Sequence, residues 1–168
     1  MELIEEVDAE GKMLAVHPKE KLNEKMFLHK VSLVIPRGKD NSFIFSKRAK
    51  DKFPFPSTWM CGIGGKVAAG ETPLQAAERE TKEEAGVSLL LEQVASFVYD
   101  QDDYKGLFYV FTTTTKTDLR LFRAEAREVQ FFQEFSLPQI ASEINNKPAL
   151  FAPTFREALK VFVKEMQQ

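Results

Sequence analysis

Within RETKEEAG, residues 79–86, Glu80, Glu83 and Glu84 recur at spacings of three, four and one. On a helix turning about 100° per residue they share an arc of about 100°. Like charges so placed repel by roughly 0.2–0.5 kcal/mol per pair. On an ordinary acidic helix face, the commoner setting for such a stripe, water and nearby Lys or Arg absorb that repulsion. A divalent cation held among the carboxylates would absorb it too. Arg79, beside Glu83, is the one basic residue near the arc, because Lys82 points to the far side, four residues after Glu78.

The helix that must carry these side chains has clear ends. Thr72 can cap it, Pro73 suits its first turn, and Gly86 can close it in the left-handed conformation. Leu74, Thr81 and Ala85 fall roughly 100–140° from Glu80, a narrow strip expected to lie on a sheet. That sheet is written in the flanking segments. LIEEVDAEGKMLAV reads as a hairpin around Ala9-Glu10-Gly11, FLHKVSLVI alternates with period two, and FIFSKR follows the turn-rich PRGKDNS. DKFPFPSTW, with its prolines, predicts an irregular extended loop. SFVYD, GLFYVFTTTT and EVQFF supply later strands. Ser136 and Pro138 can begin a short helix. A longer one near Thr154 would bury Phe155, Leu159, Phe162, Val163 and Met166 on one face. The expected class is α/β (α+β), a mixed sheet with helices packed on it, as one domain across residues 1–168.

With 168 residues, 43% of them hydrophobic, the chain can build one proper core. A net charge of −2 gives no overall attraction to nucleic-acid polymers or anionic membranes. The lone Cys61 excludes an internal disulfide. An acidic N-terminus without a signal pattern, and no apolar run of about 20 residues, predict a cytoplasmic protein.

The glutamates sit in a longer pattern, GGKVAAGETPLQAAERETKEEAGV. From Gly65, five residues lead to Glu71 and seven more to Arg79, then Glu80, Glu83, Glu84, Gly86 and Val87. This resembles the Nudix box, G-x5-E-x7-R-E-U-x-E-E-x-G-U, over residues 65–87. Every fixed position matches, and Thr81 replaces the bulky aliphatic residue (U). The resemblance implies an α/β/α sandwich with a catalytic helix, and Mg²⁺-dependent hydrolysis of a diphosphate linkage in a nucleoside diphosphate joined to another group, or in a related organic diphosphate. Mg²⁺ suits that chemistry because it favours carboxylate oxygens and offsets charge building on phosphoryl oxygens. Glu80, Glu83, Glu84 and the Gly64 carbonyl would hold Mg²⁺, with Mn²⁺ as a substitute. Arg79 would pair with Glu71 and brace the loop. Glu80 is the first choice for general base, with Glu125 and Glu128 as outside candidates.

SKRAKDKFPFPSTW resembles the Nudix subgroup related to isopentenyl diphosphate isomerase, whose matching basic residues grip the substrate diphosphate. Here they are Arg48 and Lys52, and Lys66 joins them as a substrate-binding candidate. Isomerase chemistry itself fits poorly. Five residues after Trp59, where those enzymes carry a catalytic cysteine, stands Gly64, and Cys61 comes three positions too early. A Nudix domain kept as a ligand-binding module is the remaining alternative. His17 and His29 read as structural, and Trp59, Phe53 and Phe55 as sealing a core edge or stacking on substrate. The resemblance also allows a homodimer.

Overall fold

A computed structural model describes residues 1–168 throughout. The strands are β1 (Leu3–Val7), β2 (Met13–Pro18), β3 (His29–Ile35), β4 (Ser42–Arg48), β5 (Trp59–Cys61), β6 (Ile63–Lys66), β7 (Leu91–Asp100), β8 (Lys105–Thr113) and β9 (Val129–Ser136); the helices are α1 (Pro73–Ala85), α2 (Leu137–Asn146) and α3 (Pro153–Met166). One mixed sheet runs β2-β1-β3-β8-β7, with β6 also on β3. The β3–β8 pair is parallel, with Leu33 opposite Val110, and β6 lies antiparallel to β3, with Gly65 opposite Ser32. A second, antiparallel sheet is ordered β5-β4-β9.

Alternation along β3 divides the interior. Val31, Leu33 and Ile35 join Phe45 and Phe108 under Phe155, Leu159 and Phe162 of α3. Val34 faces the other way, onto Ile63, Phe111, Ala77 and Ala85. The glutamate helix α1 and the C-terminal α3 thus cover opposite sides, the layered arrangement expected.

The ends of α1 follow from local chemistry. The Thr72 hydroxyl accepts the Gln75 N–H, the Gln75 side chain accepts the Thr72 N–H, and Gly86 takes φ 69°. Ser136 and Gln139 repeat the capping box on α2. The buried strip of α1 differs from expectation at Leu74, which is 40% exposed. Close contact is made instead by Ala76, Ala77, Thr81 and Ala85, all fully buried. Beneath the first turn the tie to the sheet is polar, from Ser32 Oγ to the Pro73 carbonyl at 2.7 Å. Thr81 satisfies its hydroxyl inside the helix, on the Ala77 carbonyl at 2.7 Å. This is why a threonine is accommodated at a buried aliphatic position.

Candidate active site

Arg79 is the hub of the glutamate face. Its Nε and Nη2 donate to the two carboxylate oxygens of Glu71 at 2.8 and 3.0 Å, the bidentate geometry that suits guanidinium. Glu71 also accepts the Ala68 N–H at 2.9 Å, and Arg79 Nη2 donates to the Lys66 carbonyl at 3.1 Å. Loop and helix are thereby locked together, as the resemblance implied. Arg79 Nη1 turns to Glu80 at 2.8 Å and Glu83 at 3.4 Å. Hydrogen bonding to Arg79 lowers the Glu71 pKa, and the same carboxylate raises that of Arg79.

The glutamates differ in environment. Glu83 is exposed, whereas Glu84 is buried at 6% exposure and accepts one N–H, from Gly64 at 3.3 Å. Burial, then the neighbouring charges of Glu80 and Glu128, hold the Glu84 carboxyl well above the usual carboxylate range. Burial raises Glu80 too, against the opposing pull of Arg79. Glycine leaves room beside them: a Cβ on Gly65 would stand 2.1 Å from Glu80 Oε1, and one on Gly64 would stand 2.7 Å from Leu33 Cδ2, so either would push a neighbouring side chain aside.

These carboxylates face a cleft of about 710 Å³ whose lining includes Lys19, Arg48, Lys52 and Lys66. Lys66 is pushed down to about 8 by burial and by the positive charges of Lys19, Lys52 and Arg48. Arg48 braces the irregular loop, donating to the Lys52 and Phe53 carbonyls at 3.2 and 3.3 Å. Burial also lowers its pKa. Lys52 reaches Glu128 at 2.7 Å. All three basic residues singled out in the sequence therefore line one cleft with Glu80, Glu83, Glu84 and Gly64. Lys19 is the addition: it lies before β3, far from the box in sequence, and no local pattern marks it. Between the two outlying carboxylates, Glu128 lines the cleft, whereas Glu125 is occupied by Arg127 at 3.2 Å.

No three His, Cys, Asp or Glu side chains stand together ready to enclose a metal ion. Glu80 and Glu83 turn to Arg79, and Glu84 to the Gly64 N–H. The donor set still suits a hard cation: the Glu84 carboxylate is buried without a cationic partner, and burial raises Glu80 beside it despite the pairing with Arg79.

The histidines, Trp59 and Cys61 are structural. His29 is fully buried; its Nδ1–H donates to the Phe27 carbonyl, and its Nε2 accepts from the Tyr104 hydroxyl, each at 3.0 Å. Burial pushes its pKa down to about 4. His17 pairs with Glu6 at 2.7 Å. Trp59 packs edge-on to Phe131 and Phe135, sealing the second sheet. Phe53 lies 75% exposed at the cleft. Cys61 is buried, and burial raises its thiol pKa, opposing thiolate chemistry.

A family model of the NUDIX domain matches residues 27–155. A Nudix hydrolase of Pseudomonas aeruginosa is 26% identical over 163 residues, covering 96% of this chain and 94% of its own length. One from Listeria innocua is 33% identical over 129 residues, 74% of this chain and 75% of its own. An isopentenyl-diphosphate Delta-isomerase of Serratia proteamaculans matches only in part, 29% over 93 residues, 55% of this chain and 52% of its own. Among solved structures, a protein of Deinococcus radiodurans shares the fold with a TM-score of 0.80 at 18% identity, over 95% of this chain and 98% of that one. The chain belongs to the Nudix family of hydrolases, which act on diphosphate bonds.

Proposed function

We propose that this chain hydrolyses the diphosphate linkage of a nucleoside diphosphate joined to another group, or of a related organic diphosphate, in a Mg²⁺-dependent reaction. One observation carries this assignment: the buried Glu84 carboxylate, short of compensating charge, and the half-buried Glu80 beside it share a cleft with Lys66, Arg48 and Lys52. Glu80, Glu83, Glu84 and the Gly64 carbonyl would hold Mg²⁺, or Mn²⁺ in its place. When bound, the ion would offset the charge building on the phosphoryl oxygens and compensate the carboxylates. Lys66 and Arg48 grip the diphosphate as cations, Arg48 with the planar fork that suits phosphate. Lys52 joins them once it exchanges Glu128 for phosphate. Arg79 fixes the helix against the loop and orients Glu80. Glu80 takes the proton of the attacking water, with Glu128 the second candidate for that role.

The test is phosphate and pyrophosphate release from a panel of diphosphate compounds, with and without Mg²⁺. Mg²⁺-dependent turnover of at least one compound is expected, and its absence across the panel would refute the hydrolytic assignment. The alternative is a Nudix domain kept as a binding module without turnover. It predicts ligand-induced stabilisation and no product. Isomerase chemistry is disfavoured because Gly64 offers no thiol where that reaction needs one.

No helix is long and apolar enough to cross a membrane. A cytoplasmic location, expected from the sequence, and a homodimer, allowed by the family resemblance, complete the proposal. Sedimentation of the purified chain as a monomer would exclude the homodimer.

A further inference from the structure

Away from the glutamate cleft, the end of β7, the second half of α2 and the exposed side of α3 enclose an open groove of about 1100 Å³. Its apolar wall is Val98, Ile144 and Val163, with Val98 42% exposed and the buried Leu159 forming its floor. Arg156 lines the same groove. Every other arginine in the chain donates a hydrogen bond to a carboxylate or a carbonyl. Arg156 Nε is buried without a partner, alone among buried side-chain nitrogens and oxygens. An unpaired buried donor is costly, and more so when charged.

The acidic groups nearby are already engaged. Asp100 pairs with Lys105, Glu157 with Lys160 at 2.8 Å, and the Tyr99 hydroxyl donates to Asp103 at 3.1 Å. The groove thus combines an apolar wall with one uncommitted guanidinium, and the side chains of Gln101 and Asn145 line its rim without partners in the chain.

We propose that this groove binds a small molecule carrying one oxyanion on an apolar body. The oxyanion accepts from Arg156, and the body covers Val98, Ile144 and Val163. A carboxylate and a phosphate monoester both supply that anion. The site is separate from the diphosphate cleft: Thr154 faces the cleft, whereas Pro153 and Arg156 face the groove.

The test is a proton–nitrogen NMR titration of the full chain with hexanoate, hexyl phosphate, hexanol and inorganic phosphate. Hexanoate or hexyl phosphate should shift the Arg156 Nε–H resonance and the Gln101, Asn145 and Lys160 amides saturably. Whichever of the two binds more tightly identifies the anion. Hexanol and inorganic phosphate, each with half of the recognised chemistry, should bind at least tenfold more weakly. Arg156→Leu should weaken binding about tenfold or more. If that variant does not fold, Arg156→Lys, which lacks the planar guanidinium fork, must still weaken it. Unchanged affinity in the variant that folds would overturn the proposal. So would hexanol binding as well as hexanoate, or shifts confined to Gly64 and Gly65.

Discussion

Glu84 keeps its carboxylate buried with one long hydrogen bond, while Glu80 and Glu128 add like charge around it. Its folded pKa is raised above the unfolded value, so its contribution to stability is favourable in acid and is lost as pH rises. Replacing it by glutamine removes an under-compensated buried charge while keeping the shape. Glu84→Gln is therefore expected to raise the metal-free Tm at neutral pH by about 2–4 °C, the shift that ~1 kcal/mol produces in a domain of this size. The same substitution should abolish turnover. A thermal melt and a product assay read both effects, and a lowered metal-free Tm would count against the charge argument. Glu83 is exposed, so Glu83→Gln should leave stability within about 0.5 kcal/mol and reduce turnover about 10²-fold or more.

At the scale of elements, the approach of β6 to α1 is set by the absence of a side chain at Gly65. Gly65→Ala must displace Glu80, because the new Cβ would meet Glu80 Cγ at 2.7 Å as well as the carboxylate. An overpacking loss of about 1–3 kcal/mol is expected, with turnover falling at unchanged helix content by circular dichroism. Retained activity would mean that Glu80 is free to move. Helix α1 was the most legible element, since Thr72, Pro73 and Gly86 fix its ends through local hydrogen bonding and backbone freedom. Gln75, at the third helical position, completes the cap as a Thr-x-x-Gln pattern that is also local in sequence. The short strands β5 and β6 were not legible: Trp59–Cys61 and Ile63–Lys66 are too brief for a period, Gly62 separates them and Gly64 and Gly65 fill the second. Their strand character comes from pairing with β4 and β3, a tertiary effect.

Across the whole molecule, the buried His29–Tyr104 pair links β3 to the segment before β8. His29 titrates near 4 in the fold, against an ordinary value of about 6.5. The unfolded chain therefore binds the proton first, and stability contributed by His29 is complete above about 6.5 and lost as pH falls toward 4. The full difference is about 3 kcal/mol. Wild type should lose Tm across that interval more steeply than His29→Asn, and parallel curves would contradict this assignment. Such long-range pairing, like the gathering of Lys19, Arg48, Lys52 and Lys66 at one cleft, depends on topology. The box revealed the glutamates because they are local in sequence, whereas Lys19 could be found only after the chain had folded. The measurement that bears most directly on the central claim compares wild type with Glu83→Gln on a panel of diphosphate compounds, with and without Mg²⁺. Mg²⁺-dependent product release, reduced about 10²-fold in a variant of unchanged Tm, is the predicted result. Release that is indifferent to Mg²⁺ or to Glu83 would contradict it.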